Sequence, residues 1–448
     1  MTVRQTRLVP DESTTQGPHA ELLARHRRVM PDWLNLFYDQ PIELVTGDGR
    51  RVTDREGHTY LDFFGGILTT MTGHAVPEVV DAIRTQAGRM LHTSTLYLIR
   101  PMVELAERIS NLSGIPDAKV FFLNSGSEAN DTALMLCCGV RRSNQILALR
   151  YSYHGRSFAS MAATGLRIWS SSSLSPVNVG YVHGGYRYRS PFGHLPDDEF
   201  VAACVADLRD VIATSTSGDV ACLIAEPIQG VAGFAIPPDG FFGAMKEVLD
   251  EQGILFVSDE VQTGWGRTGE HFWGYQAHGI TPDLLTFAKG IGNGLALGGV
   301  VGRSGVIDSV NANSISTFGG NPLASAGALA NIEYLMSHDL QSNALARGEQ
   351  LMGQLAPLVD KLAQVGEVRG RGLMVAIELV QPGGNLPDPA AASTALEACR
   401  RRGVLVGRGG VHANVLRIAP PLSVTAEEVD EACAAIVDAL ADVSASRT

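Results

Sequence analysis

Cysteine is scarce and unpatterned in this chain: six residues in 448, with no CxxC pair, exclude a disulfide framework and a zinc ribbon. Cys137, Cys138, Cys204, Cys222, Cys399 and Cys433 stand mostly among apolar neighbours and read as buried thiols of a reducing compartment. Long apolar runs are also missing; none approaches the ~18 residues of a membrane-spanning helix. The N-terminal stretch has no apolar leader for secretion. It carries Arg4, Arg7 and the Arg25-His26-Arg27-Arg28 cluster, but Asp11, Glu12 and Glu21 interrupt the positive charge that a transit peptide needs. The compartment expected from these features is the cytoplasm. Positive charge is short overall, 35 Lys and Arg against 47 Asp and Glu, and the net charge of −12 argues against nucleic acid or an anionic membrane as partner. An anionic ligand therefore requires a locally cationic pocket. Internal repeats and low-complexity blocks are absent.

What is abundant is apolar residues and glycine. A hydrophobic content of 45% with only 18% charged residues describes a well-buried globular protein, and 49 glycines imply many tight turns and close backbone approaches. The length predicts two or more domains at roughly 100–200 residues each. Three short strands are predicted around the turn dipeptides Asp48-Gly49 and Glu56-Gly57. From about residue 118 the pattern alternates strand, loop and helix. The predicted strands are Lys119–Leu123, Gln145–Leu149, Ala221–Ala225, Ile254–Val257, Leu284–Phe287 and Gly298–Val301. They are nearly continuous in apolar residues, as in a mainly parallel sheet covered on both faces. Helices are expected over Phe242–Glu251, Ala324–Met336 and Asn343–Val365. A smaller unit follows, with strands at Leu373–Leu379, Val404–Val406 and Val415–Ile418 and a last helix over Ala426–Ala441. The expected fold is α/β, with one large domain (65–330) and a smaller α+β domain assembled from both chain ends (1–64 and 331–448).

In an open parallel sheet ligands bind beyond the carboxyl ends of the strands, and polar signatures follow several of the predicted strands. Asn124-Ser125-Gly126-Ser127-Glu128-Ala129-Asn130 offers backbone N–H groups and a helix N-terminus to a phosphate, or an ordinary N-cap. It is not a Walker loop, because the closing Lys-Ser/Thr is missing. Tyr153 can stack on a planar ring or simply pack, and His154 beside Gly155 reads as structural. Glu226, in Glu226-Pro227-Ile228-Gln229-Gly230, can support ring-bound groups or pair with an arginine. Asp259 ends one apolar run and Lys289 another, and a glycine-rich stretch, Gly290-Ile291-Gly292-Asn293-Gly294, follows the lysine. An amine and a carboxylate that converge from two buried strands are what pyridoxal phosphate requires: one bonds its aldehyde, the other keeps the pyridine nitrogen protonated. Gly264-Trp265-Gly266-Arg267-Thr268-Gly269 matches GxGxxG literally, yet it starts several residues after its strand and no small-residue helix follows, so a dinucleotide site is not expected.

The strings NSGSEAN, YHGR, AEPIQG, SDEVQTGWGRTG, FAKGIGNG, STFGGNP and LRIAPPL stand in the order found in class III, fold-type I, pyridoxal phosphate-dependent aminotransferases. The resemblance runs from about Gly57 to the last helix. It implies Lys289 as the Schiff-base lysine and proton shuttle, Asp259 as the pyridinium partner and Gln262 as partner of the ring hydroxyl. Ser125, Gly126 and Ser127 should hold the phosphate, Tyr153 should stack on the ring and Glu226 should support it. In the family the threonine of the TFGGNP segment, here Thr317, reaches the phosphate of the neighbouring subunit, which implies a homodimer or a dimer of dimers. Arg417 would bind the substrate α-carboxylate by a bidentate pair. Ornithine and 4-aminobutyrate aminotransferases carry a glutamate after EPIQG that can mask this arginine; here Val231 stands there. With Val-Gly-Arg-Gly-Gly around Gly407, this resembles the alanine–glyoxylate aminotransferase 2 subgroup, which includes phospholyases. The implied reaction is ping-pong transfer of an amino group from an amino acid or amine to a keto acid of the pyruvate, glyoxylate or 2-oxoglutarate type. The alternative is elimination of a substituent such as phosphate from an amino substrate. Position alone suggests Phe37, Ile67, Tyr97 and Trp265 as pocket residues. No metal is implied.

Overall fold

The structure, a computed structural model, describes residues 19–170 and 172–445; Arg4, Arg7, Asp11 and Glu12 lie outside the described residues. Strands β1 (Leu44–Asp48), β2 (Arg51–Asp54) and β3 (Thr59–Asp62) form an antiparallel meander turned at the two predicted glycine dipeptides. The chain then builds its largest sheet from β4 (Ala118–Leu123), β5 (Gln145–Leu149), β6 (Asn178–Val182), β7 (Cys222–Ala225), β8 (Leu255–Asp259), β9 (Leu284–Phe287) and β10 (Gly298–Arg303). Their spatial order is β4-β10-β9-β8-β7-β5-β6. Only β10 runs against its neighbours; β9, β8, β7, β5 and β6 pair in parallel.

The near-continuous apolar runs have a direct cause, since both faces of this sheet are covered. On one face Leu147, Leu149, Leu223 and Phe256 pack against the helices Asp197–Ser215 and Phe241–Glu251. Their strand neighbours Ile146, Ala148, Ile224 and Val257 point the other way, into the helix Gly126–Arg141. That is the two-residue alternation of a pleated strand, here apolar on both sides.

β11 (Val365–Arg371), β12 (Met374–Leu379), β13 (Val404–Leu405), β14 (Gly407–Gly409) and β15 (Val415–Ile418) complete the strands described. Four of them form the antiparallel sheet β11-β12-β15-β14, packed against the helices Leu340–Leu355, Pro389–Arg401 and Ala426–Ala445. β13 instead lies parallel to β3, with Val404 opposite Leu61, so the two ends of the chain meet in one small sheet. The architecture is the expected α/β sheet between helices with a smaller α+β unit drawn from both ends.

Three details depart from the sequence reading. The helix expected over Asn343–Val365 stops at Leu355, and a short turn, Leu358–Lys361, follows Pro357 before β11 begins at Val365. Proline has no N–H to continue the helix ladder. Strand β11 hides behind its own composition, Val-Gly-Glu-Val-Arg-Gly-Arg, while β6 is a partly exposed edge strand whose apolar signal is weak. All six cysteines are free thiols, with Cys138 half-buried and the rest buried.

Candidate active site

Parallel strands deliver their last residues to one edge of the sheet, and there the expected residues converge. Ser125, Gly126 and Ser127 follow β4, Tyr153 follows β5, Glu226 follows β7, Asp259 and Gln262 come from the end of β8, and Lys289 follows β9; all line one cavity of about 380 Å³. Arg417, on β15, joins the group from the smaller sheet, its Nη2 donating to Gln262 Oε1 at 2.9 Å. Thr317 is exposed and does not line this cavity.

At the cavity floor Asp259 is held firmly. Asn130 Nδ2 donates to its Oδ2 at 2.7 Å, His154 Nδ1 lies 2.7 Å from the same oxygen, and the backbone N–H of Val261 reaches Oδ1 at 3.2 Å. Asn130 also donates to the His154 carbonyl at 2.7 Å and accepts from Thr286 at 2.7 Å, so its amide orients the carboxylate and the imidazole together. Lys289 sits at a backbone φ of +50°, a left-handed conformation rare for a side chain of this length. Burial lowers its pKa to about 8; the Arg417 charge works in the same direction and Asp259 against it. Glu226 accepts the N–H groups of Tyr153 and Gly230 at 2.8 Å each, and burial pushes it up to about 7, against the pull of His154.

The phosphate end combines both readings of its motif. Ser125 caps the helix Gly126–Arg141 by accepting from Glu128 N at 3.2 Å, and Gly126 and Ser127 open its first turn onto the cavity. Ser127 Oγ is held in turn by the Arg156 N–H at 3.0 Å.

Arg417 is only 3% exposed and is lowered to about 10 by burial. Its guanidinium lies 4.6 Å from the Phe234 ring centre and 5.1 Å from that of Phe64. The Val-Gly-Arg-Gly-Gly segment makes room for this arrangement. A Cβ at Gly407 would fall 2.1 Å from the Phe64 ring, and one at Gly409 would fall 2.7 Å from Arg417 Cδ.

The positional guesses fare differently. Trp265 is a core residue, 4.6 Å from Trp273, and does not face the cavity. Phe37 stacks on Phe64 at 5.8 Å, behind the arginine, while Ile67 and Tyr97 are exposed. Sequence reasoning missed Asn130, Phe234 and the link from His154 to Asp259.

A lysine of lowered proton affinity, a braced carboxylate and a helix N-terminus stand around one cavity, and a buried arginine is joined to it through Gln262. The profile of the family described as aminotransferase class III matches residues 38–440. This chain belongs to the class III aminotransferases. Among its relatives is the Arabidopsis thaliana protein named alanine–glyoxylate aminotransferase 2 homolog 2, mitochondrial, 38% identical over 95% of this chain and 89% of the relative. The human alanine–glyoxylate aminotransferase 2, mitochondrial, is 34% identical over 94% and 86%. Both names agree with the subgroup resemblance. An (S)-enantioselective omega-transaminase from Thermomicrobium roseum superposes with a TM-score of 0.87 at 33% identity, over 96% of this chain and 99% of that one. A pyridoxal phosphate-bound amine transaminase from an uncultivated Pseudomonas species does so with 0.85 at 32%, over 90% and 96%.

The fold is therefore fold-type I, and the protein is a pyridoxal phosphate-dependent enzyme that transfers amino groups between small amino donors and keto acids. The residues present fit that cofactor: in one lining they offer a carboxylate, Asp259, suited to a ring nitrogen, a helix N-terminus at Gly126 suited to a phosphate, and the buried amine of Lys289. The mitochondrial names of the plant and human relatives overturn the cytoplasmic expectation. That expectation rested on the lack of an apolar leader and on Asp11, Glu12 and Glu21 standing among the basic residues near the N-terminus.

Proposed function

We propose that Lys289 is the point of covalent attachment for the cofactor aldehyde and the base that moves the substrate Cα proton, with Arg417 holding the substrate α-carboxylate. The supporting observation is that Lys289, buried to a pKa of about 8, and Asp259 line one cavity that Arg417 borders through Gln262. Pyridoxal phosphate supplies, when bound, an electron sink for the pair left behind at Cα. Lys289 Nζ, neutral once substrate amine replaces it, takes the Cα proton and returns it on the far side of the transfer. Asp259, fixed by Asn130 and His154, would hold a proton on the ring nitrogen. Glu226 keeps the Tyr153 backbone in place by accepting its N–H, and the Tyr153 side chain, which lines the cavity, would stack on the ring. Gln262, which lines the cavity and accepts from Arg417, would hold the ring hydroxyl.

Val231 places no carboxylate against Arg417, so the arginine is open to an α-amino or α-keto acid, and donor and acceptor of the alanine, pyruvate and glyoxylate kind follow. Thr317, exposed and outside its own cavity, serves the phosphate of a second subunit in a homodimer. The division into 1–64 with 331–448, and 65–330, is supported by the sheets, with β4–β10 on one side and β1–β3 with β11–β15 on the other.

The test is a donor panel of alanine, β-alanine, 4-aminobutyrate, ornithine and phosphoethanolamine, read by loss of the yellow cofactor band, on wild type and Lys289→Ala. Alanine should bleach the wild-type enzyme, and Lys289→Ala should bind cofactor but not turn over. Near-wild-type activity in Lys289→Ala would sink the role of the lysine. Phosphate release from phosphoethanolamine without bleaching would favour elimination.

A further inference from the structure

Arg417 is oriented mainly by what lies flat against it. Among the described residues its Nη2 donates to the neutral Gln262, and its buried Nε has no hydrogen-bond partner. The guanidinium rests instead on the Phe234 and Phe64 rings, where cation–π attraction is strong because water is excluded. The position of Phe234 thus sets the position of Arg417.

Phe234 is fully buried at φ +51°, a conformation phenylalanine seldom adopts, and Gly233 before it has φ +99°. The loop that carries them is closed on itself by Gly233 N–H and Phe234 N–H donating to Gly230 O, and by paired bonds between Gln229 and Ala235. Its other anchor is a second arginine. Arg369 Nε donates to Gly233 O at 3.0 Å and Phe234 O at 3.2 Å, and its Nη2 donates to Gly233 O at 2.7 Å.

Sheet register explains why these groups meet. Arg369 on β11 is opposite Ala376 on β12, and Ala376 is opposite Arg417 on β15. Residues paired in one row point to the same face. The two guanidiniums therefore flank a small alanine, and Phe234 packs into the space above Ala376. Arg369 is held in turn by Glu378, fully buried, whose Oε2 accepts its Nη1 at 2.8 Å, and by the Tyr186 ring at 4.8 Å. Glu378 also accepts from Tyr186 Oη at 2.5 Å and Arg189 Nε at 2.7 Å.

We propose that Arg369, braced by Glu378 and Tyr186, is a positioning residue for the substrate carboxylate: it clamps the Gly233 and Phe234 carbonyls and so holds the ring on which Arg417 lies. This rests on the reading of Arg417 as the carboxylate ligand. Arg369 never touches substrate. Its effect is confined to substrates that use Arg417, so the clamp tunes the preference for carboxylate-bearing donors over plain amines.

The experiment compares alanine with isopropylamine, which has a methyl group where alanine has the carboxylate. Holoenzymes of Arg369→Lys, Phe234→Leu and Arg417→Ala are assayed, with melting temperature and cofactor absorbance recorded for each. Lysine keeps the charge beside Glu378 but cannot span two carbonyls, and leucine keeps bulk without a π face. The ratio of kcat/KM for alanine to that for isopropylamine should fall about tenfold in both Arg369→Lys and Phe234→Leu, mostly through KM. A ratio within about twofold of wild type in both variants, with native melting and absorbance, overturns the proposal. So does an equal loss for both substrates, which marks a general structural role. Arg417→Ala separates the two levels: if it also leaves the ratio untouched, the carboxylate reading itself fails.

Discussion

At the scale of single residues, Lys289 illustrates how burial prepares a side chain for chemistry. An amine with its pKa lowered from 10.5 to about 8 is neutral in the folded chain and charged in the unfolded one between those values. Its contribution to stability therefore rises with pH across that window, and below it the folded state carries an unfavourable buried cation. Two outcomes follow. Capture of pyridoxal phosphate by the apoprotein should accelerate with pH and level off near about 8 in stopped-flow absorbance, where an ordinary lysine would level off above 10. Lys289→Met should melt higher than wild-type apoprotein at pH 7, and the gap should close as the pH approaches 10.5. Asn130 belongs at the same scale. Its loss leaves Asp259, the His154 carbonyl and Thr286 short of partners, so Asn130→Ala should destabilise by about 1–3 kcal/mol and weaken cofactor binding, measured by melting and by absorbance titration.

These two residues also show what the sequence disclosed and what it concealed. Lys289 and Asp259 were legible because a charge at the end of a buried apolar run is conspicuous. Asn130 lies on the stripe Ala129, Ala133, Leu134 and Cys137 of its helix. A polar residue on an apolar stripe was the available signal, and the phosphate reading of the same string hid it. Phe234 gave no signal at all: its role depends on a left-handed backbone and on an arginine more than a hundred residues away.

At the scale of elements, glycine decides how closely pieces approach. The helix Leu340–Leu355 crosses the turn between β11 and β12 at Gly348, where a Cβ would stand 2.4 Å from the Gly372 carbonyl oxygen. Alanine is the better helix former in isolation, yet backbone cannot yield as a side chain can. Gly348→Ala should lower stability by about 1–3 kcal/mol, read as a drop in melting temperature with cofactor affinity retained. Six of the seven strands of the large sheet were recognisable within a residue or two because both faces are apolar, the partly exposed edge strand β6 being the exception. β11 was not, because its glycines and charges serve a buried network with Glu378 and Tyr186 rather than an apolar face.

At the scale of the whole molecule, the surface carries apolar side chains that one subunit leaves bare. Leu96, Tyr97 and Leu98 are 75%, 69% and 97% exposed, and Phe318, next to Thr317, is 59% exposed. Contiguous patches of this kind mark interfaces, in line with the proposed homodimer. Co-refolding Lys289→Ala with Thr317→Ala tests it directly. If Thr317 serves the partner's site, one hybrid site regains both groups and mixed dimers recover activity above either parent; if it serves its own subunit, no site is intact and nothing is recovered.

The parallel pair formed by β3 and β13 bears on how the chain reaches this state. Leu61 and Val404 are separated by roughly 340 residues, so β3 waits for a partner strand that leaves the ribosome much later. Contacts of such separation form late, after the loop-closure entropy has been met. Throughout synthesis the early meander, with Tyr60 and Leu61 buried only in the finished fold, presents an open edge and apolar side chains to its surroundings. Nascent chains are thus at greatest risk of aggregation before residue 404 emerges, and a holding chaperone would act on the N-terminal strands rather than on the large sheet.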